Sequence, residues 1–286
     1  MIDASIKEYL NRFLNRNTGW RAIGGGCIND TYKGTDGRSS FFLKLNSAGQ
    51  YPQMFNKEAS ALGFLKKQQA IRVPAVLGHG ETGTRQWLLL EWIDTGSKTG
   101  SFWKYFGQQL AALHKIQAEE AGLDEDNYIG SLKQSNKRSG DWIDFFIEER
   151  LEPQIRLAQE KNILPSSFPD LFQQLCKRLP DIFTPEKFSL LHGDLWTGNF
   201  MCDETSQPVL IDPAVYFGHR SMDLAMTRLF GGFDKIFYDS YHYHFPLPSN
   251  YPEQWDVCNL YPLMVHVNLF GSGYVGQVES ILKQFA

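Results

Sequence analysis

Along the first third of the chain, apolar side chains come in short runs that stop at Gly, Asp or Asn. Four of these runs, "WRAIGG", "INDTYKGT", "SFFLKLN" and "QWLLLEWI", are rich in aromatic and β-branched residues and predict an antiparallel sheet. One stretch, "MFNKEASALGFLKKQ", changes period. Phe55, Leu62 and Leu65 recur there at helical spacing, which predicts a single helix inserted in the sheet. Beyond Trp92, the polar "IDTGSKTGS" interrupts the pattern, and nearly every later stretch with a clear period is helical. The expected division is therefore a sheet lobe at 1–93, a connection at 94–100 and a mainly helical lobe at 101–286.

The helices expected in the second lobe are "FWKYFGQQLAALHKIQ", "DWIDFFIEERLEPQIRLAQEK" with a bend at Pro153, "DLFQQLCKRLPDIF", "SMDLAMTRLFGGF", "CNLYPLMVHVNLF" and "GYVGQVESILKQF". Between them lie "FSLLHGDLWTGNF" and "QPVLIDPAVYFG", two apolar runs that each stop at an acidic residue. They predict a small β-hairpin carrying carboxylates at its loop ends. No fixed-period repeat signals a solenoid.

Composition adds limits rather than identity. With 286 residues the chain can form one large or two modest domains, and 42% hydrophobic with 21% charged residues is ordinary for a folded globular protein. A net charge of −4 gives no surplus of cations for a nucleic-acid backbone. The N-terminus "MIDASIKEYLNRFLNRN" lacks the apolar core of a signal peptide, and no window approaches the roughly 20 apolar residues that span a bilayer. The expectation is a cytoplasmic protein with no nucleic-acid or membrane partner, monomeric or a weak homodimer. Cysteines at 27, 176, 202 and 258 form neither a disulfide framework nor a CxxC zinc pair. The histidines of "YHYHF", with no third ligand nearby, read as loop or strand residues.

Five pieces in order supply what phosphoryl transfer from ATP requires, which is positioning and charge neutralisation. "GGGCIND", containing Gly24, Gly25 and Gly26, lies between two predicted strands. It is either a flexible turn or a loop whose backbone N–H groups approach phosphates closely. Lys44 lies in a strand apolar enough to be half buried, so it needs a partner. Glu58 in the one helix can pair with it and hold the amine against phosphates; a surface lysine and a solvated glutamate are the alternative. "LLLEWID" runs into the connection, where the carbonyl of Glu91 and the N–H of Ile93 can meet an adenine ring, and Trp92 either joins them or packs the lobe. The sharpest piece is "HGDLWTGN". It spaces Asp194 and Asn199 as kinase catalytic loops space a base and a metal ligand, and Asp212 follows an apolar strand downstream. Gly and Asp are also common turn residues. A chance turn is not expected to bring the other four pieces in order.

"LLHGDLWTGN" and "IDPAVYFGHRSMDLAM", with "GGGCIND", resemble the fructosamine kinase (ketosamine 3-kinase) family over essentially the whole chain. That resemblance implies an α+β, bilobal protein-kinase-like fold, shared with aminoglycoside phosphotransferases and choline kinases. It implies phosphorylation of the C3 hydroxyl of small-molecule or protein-bound ketosamines, dependent on ATP and Mg2+ and leading to deglycation. By carry-over Asp194 is the base, Asn199 and Asp212 hold magnesium, Lys44 and Glu58 grip phosphates, and Glu91, Trp92 and Ile93 form the hinge. Trp196 becomes a platform for sugar or amine, with a core aromatic as the alternative. "DPA" in place of "DFG", and the lack of an "APE" segment, favour a small-molecule acceptor over a peptide groove. Arg220 and Asp223 read as an ion pair at a helix start. Cys27 is either a redox switch or a small buried residue.

Overall fold

The computed structural model describes residues 2–24 and 28–285. Gly25, Gly26 and Cys27, all singled out above, lie outside the described residues. The chain divides into two units, Met1–Ser97 with Met201–Ile211, and Lys98–Phe200 with Asp212–Ala286.

The first unit begins with a helix that the strand-rich reading of this region omits. In α1 (Ala4–Leu14) the Asp3 carboxylate accepts the Ser5 N–H at 2.8 Å as an N-cap, and only Ile6 and Leu10 are buried. Ile6, Leu10, Phe13 and Leu14 recur there at helical spacing, a signal the strand-rich reading passes over. Then come β1 (Gly19–Ile23), β2 (Asp30–Thr35), β3 (Ser40–Ser47), α2 (Met54–Gln68), β4 (Val76–Thr82) and β5 (Arg85–Glu91). The five strands form one antiparallel sheet in the order β1-β2-β3-β5-β4.

Strand alternation explains how this sheet buries a lysine. Phe41, Leu43 and Leu45 of β3 join Tyr32, Trp87 and Leu89 in a core closed by Ile6 and Leu10 of α1. Each large apolar side chain fully buried there contributes about 1.5–3 kcal/mol. The intervening residues of β3 face α2. Asn46 Nδ2 donates to Met54 Sδ at 3.3 Å, and the Phe55 N–H donates to Gln86 Oε1 at 3.2 Å. With both faces covered, Lys44 is 3% exposed.

Although it falls within the helical part of the sequence, Met201–Ile211 is fastened to this first unit. The Arg72 guanidinium pairs with Asp203 and, at 2.6 Å, with Glu91. The Leu210 N–H donates to the Arg72 carbonyl and the Gly96 N–H to the Cys202 carbonyl, each at 2.9 Å.

The second unit opens with α3 (Gly100–His114), followed by short strands β6 (Gln117–Ala118), β7 (Asn127–Ile129) and β8 (Leu132–Gln134). The long helix expected around Pro153 is α4 (Trp142–Phe145), a π-helical stretch (Phe146–Leu151) and α5 (Glu152–Glu160). Pro153 sits in the first turn of α5, where its missing N–H follows the wide π turn. Then come α6 (Phe168–Ile182) and β9 (Phe188–Leu191); the chain next passes through β10 (Phe200–Cys202) and β11 (Pro208–Leu210), the strands of the Met201–Ile211 stretch that belongs to the first unit, and the second unit resumes with β12 (Tyr216–Gly218), α7 (Ser221–Leu229), α8 (Lys235–His244), α9 (Tyr251–Cys258), α10 (Leu260–Phe270) and α11 (Val275–Gln284). Among the described residues no helix is long and apolar enough to cross a membrane.

Two expectations need correction. The single hairpin is two nested pairs, β9 with β12 outside and β10 with β11 inside, and β9 also pairs with β6. Nesting leaves one loop on each side of the inner pair, at 192–199 and 211–215. The histidines of "YHYHF" lie in α8 rather than in a loop or strand, with Tyr241 buried and Tyr243 82% exposed. The alternation that suggested a strand is set aside by the capped start at Asp234, whose carboxylate accepts the Ile236 N–H at 2.8 Å.

Candidate active site

The four residues of β9 are all buried and end at His192, itself buried. Gly193 follows with φ +84°, in the left-handed region, and a Cβ there would lie 2.0 Å from the Ala214 carbonyl oxygen. Only glycine permits this approach, which lets the Ala214 N–H donate to the His192 carbonyl at 2.9 Å. The loop then tightens around Asp194. Its carbonyl accepts the Trp196 N–H at 3.2 Å, while Asn199 Nδ2 donates to both that carbonyl and Asp194 Oδ2, each at 2.8 Å.

The Asp194 carboxyl is pushed up to about 7, first by burial, then by the charge of Asp212 and, more weakly, that of Asp223; the Asn199 hydrogen bond opposes these. Asp194, Asn199 and Asp212 are thus brought together in the second unit. Asp212 is exposed, at φ +54°, a conformation that aspartate tolerates better than most side chains. Asn199 commits its amide nitrogen to Asp194, which leaves the amide oxygen as the end available to a cation. Asp212 and Asn199 together offer an all-oxygen donor set, the kind magnesium takes. The repulsion that raises Asp194 is of the kind a divalent cation relieves, so these residues fit the ion.

Trp196 is 37% exposed, and its ring meets Phe230 edge-on at 6.2 Å between centroids. It lies so close over Gly198 that a Cβ there would come within 2.4 Å of the ring. The alternative of a core aromatic therefore does not describe its surroundings. The 214–216 segment has its own supports. Gln134 Nε2 donates to the Ala214 carbonyl at 3.2 Å, Asn127 Nδ2 donates to the Val215 carbonyl at 2.8 Å, and the buried Arg150 guanidinium lies 3.9 Å from the Tyr216 ring centre.

The ion pair expected between Arg220 and Asp223 is replaced by two separate arrangements. Arg220 donates to the Phe245 and Pro246 carbonyls at 3.2 and 2.8 Å, lies 3.5 Å from the Glu186 carboxylate and stacks on Phe245. Asp223 instead turns beneath the loop, where Oδ2 accepts the His192 N–H at 2.7 Å and Oδ1 the Gly193 N–H at 2.9 Å. Helical numbering puts the two side chains on one face, but the buried loop amides are the stronger claim on the carboxylate. His219 is packed against Trp142 and Phe183, and burial drives its pKa down to about 3, which keeps it neutral.

In the first unit, Lys44 Nζ lies 2.8 Å from Glu58 Oε1, with both side chains largely buried. A Cβ placed on Gly24 would meet nothing within 4 Å, so protein packing does not require glycine there. The Glu91 carboxylate is taken by Arg72 and by the Ala75 N–H at 3.0 Å. Trp92 Nε1 donates to Asp94 at 2.9 Å, with Lys33 Nζ 4.0 Å from the Trp92 ring centre, and Ile93 is buried.

Two residues matter to this loop in ways that sequence reasoning does not reach. Asp223 was visible only as a helix-start acid. His114 lies in the apolar run "AALHKI", where a histidine whose partners are more than 100 residues away in sequence gives no local signal.

Comparison with known proteins gives a consistent picture. The family model described as fructosamine kinase matches residues 2–286. A probable ketoamine kinase of Synechocystis is 42% identical over 272 residues, covering 92% of this chain and 89% of its own. A chloroplastic protein-ribulosamine 3-kinase of Arabidopsis thaliana is 36% identical, covering 92% of this chain and 81% of its own. Among solved structures, a putative fructosamine-3-kinase of Haemophilus somnus superposes with a TM-score of 0.88 at 29% identity, covering 98% of this chain and 96% of that one. An aminoglycoside phosphotransferase superposes with a TM-score of 0.66 at 12% identity, covering 98% of this chain and 99% of that one, a likeness of fold alone.

Proposed function

The chain belongs to the fructosamine kinase family, and from that premise we propose that this ATP-dependent phosphotransferase phosphorylates the C3 hydroxyl of ketosamines, free or protein-bound, as the first step of deglycation. The observation that carries this reading is the Asp194 carboxyl, held by Asn199 and raised to about 7 by burial and by Asp212. A carboxylate with that pKa is a competent general base near neutral pH.

In the proposed reaction, Asp194 accepts the proton of the acceptor hydroxyl as its oxygen bonds to the γ-phosphorus. The bond from that phosphorus to the β–γ bridging oxygen breaks, and ADP leaves with the electron pair. Lys44, oriented by Glu58, holds the α and β phosphates, joined by the backbone of Gly24 and of Gly25 and Gly26, which lie outside the described residues. Glu91 to Ile93 receive the adenine through the Glu91 carbonyl and the Ile93 N–H, with Trp92 beside them. Asp212 and the Asn199 amide oxygen would hold magnesium, which supplies neutralisation of phosphate charge. Trp196 offers an exposed ring face to the sugar or to the cationic amine of a ketosamine.

The test is a panel of ketosamines, aminoglycosides and choline incubated with ATP and magnesium, with the product located by phosphorus NMR. Phosphate on C3 of a ketosamine, followed by release of the sugar, is expected. Phosphorylation of another acceptor while every ketosamine is left untouched would overturn the substrate assignment.

Loss of Glu58 tests the phosphate grip. Glu58→Gln leaves a buried lysine short of its carboxylate, so a stability loss of about 1–3 kcal/mol and a rise in KM for ATP of about tenfold are expected. Denaturant titration and initial-rate kinetics measure the two, and an unchanged KM for ATP would remove Glu58 from nucleotide binding.

A further inference from the structure

Beneath the loop that presents Asp194 runs a buried chain of hydrogen bonds that the phosphoryl-transfer scheme above leaves unused. Asp223 Oδ2, already bonded to the His192 N–H, lies 3.2 Å from His114 Nε2, and His114 Nδ1 lies 2.9 Å from the Tyr241 hydroxyl. His114, His192 and Tyr241 are each 0% exposed and Asp223 1%.

Helix packing explains how these groups meet. His114 ends α3 and Tyr241 lies on α8, and the two helices come close because position 107 is glycine. A Cβ there would lie 2.3 Å from the Phe237 carbonyl oxygen. Ser240 Oγ then donates to the Lys104 carbonyl at 2.7 Å and sets the register that brings Tyr241 to His114.

The chemistry of the groups assigns the protons. Burial alone would raise the Asp223 carboxyl, but the hydrogen bond from His114 and the Gly193 N–H hold it below its usual value, so it is ionised and only accepts. His114 therefore donates from Nε2. Burial keeps the Tyr241 phenol protonated, so it can donate to Nδ1. The resulting series runs from the Tyr241 O–H to His114, from the His114 N–H to Asp223, and from Asp223 to the His192 and Gly193 amides directly before Asp194. An unpaired Asp223 would be free to tilt, and the amides it holds would tilt with it.

We propose that His114 and Tyr241 are positioning residues for phosphoryl transfer: through Asp223 they fix the backbone of His192 and Gly193, and so the place of the Asp194 carboxylate. This rests on the reading of Asp194 as the base.

The test compares His114→Leu, His114→Gln and Tyr241→Phe, with kcat, KM for ATP and melting temperature measured for each. Displacing a reacting group by about an ångström can cost up to about a hundredfold in rate. His114→Leu is accordingly expected to lose about 30- to 100-fold in kcat with KM for ATP within about twofold, because Lys44, Glu58 and Glu91 to Ile93, which hold the nucleotide, lie in other segments. His114→Gln keeps an N–H for Asp223 and is expected to recover to within about fivefold of the parent, while Tyr241→Phe loses about three- to tenfold. Placing His114→Leu in an Asp194→Asn background should add little further loss, since the residual rate no longer uses a positioned base.

A His114→Leu protein that melts lower but keeps kcat within twofold would make the network purely structural and overturn the proposal. So would fully additive losses in the double variant. Should His114→Leu fail to fold, Tyr241→Phe decides alone, because it removes a single oxygen, and an unchanged kcat there overturns the proposal. An Asp194→Asn protein with parental activity would instead refute the base assignment on which the inference stands.

Discussion

Asp194→Asn is expected to lower kcat by about 10²–10⁴-fold while KM for ATP stays within a few-fold, since the amide occupies the same space but cannot accept the proton. Steady-state kinetics at saturating acceptor check this, and a loss smaller than about tenfold would remove Asp194 from the base role. The same variant carries a second signature of opposite sign. Folding raises the Asp194 carboxyl from 3.8 to about 7, so between those values the folded protein keeps a proton that the unfolded chain has released. Stability therefore falls as pH rises through this window and levels off above about 7. Asparagine never ionises and escapes that penalty. Without magnesium or nucleotide, Asp194→Asn is expected to be more stable than the parent by about 1–2 kcal/mol at pH 8, with the gain fading towards pH 4. Melting temperatures measured across that range in the presence of EDTA test the sign. A variant less stable at pH 8 would mean that the carboxylate is not under strain.

The second large effect belongs to a residue with no reactive group. Gly193→Ala puts a methyl group 2.0 Å from the Ala214 carbonyl oxygen at φ +84°, and neither backbone can yield without breaking the 2.9 Å bond from the Ala214 N–H to the His192 carbonyl or the Asp223 contact to the Gly193 N–H. A stability loss of about 3 kcal/mol or more is expected, together with a kcat reduced by about a hundredfold in the fraction that folds. Chemical denaturation and kinetics at a permissive temperature separate the two. Near-parental kcat would show that the loop tolerates displacement and that close contact with Ala214 does not place the base.

Much of the fold is legible in sequence where a single physical signal dominates. The helix at Met54–Gln68 is clear because Phe55, Leu62 and Leu65 share a face within a strand-rich region. Lys44 asks for a partner because its neighbours are apolar, and the partner it takes is Glu58. The first helix carries its own period in Ile6, Leu10, Phe13 and Leu14, and what only the structure shows is the sheet face that Ile6 and Leu10 cover. The "YHYHF" segment misleads because alternation over five residues cannot be told from part of a helix until the Asp234 cap is seen. The nested strand pairs escape a local reading because β12 lies far beyond the turn that a simple hairpin would use.

By itself the sequence determined the inventory of this protein: a sheet followed by helices, and the order in which a lysine, a glutamate, an HGD loop, an asparagine and a second aspartate follow one another. It could do so because periodicity and short spacings are properties of neighbouring residues. Only the tertiary structure decided how those groups are tuned. Whether Asp223 pairs with Arg220 or holds the loop amides, whether His114 is idle or linked to Tyr241, and how far Asp194 is raised all depend on burial and on charges brought together by distant segments. Desolvation and hydrogen-bond competition act through space, so the side chains that set them leave little local mark along the chain.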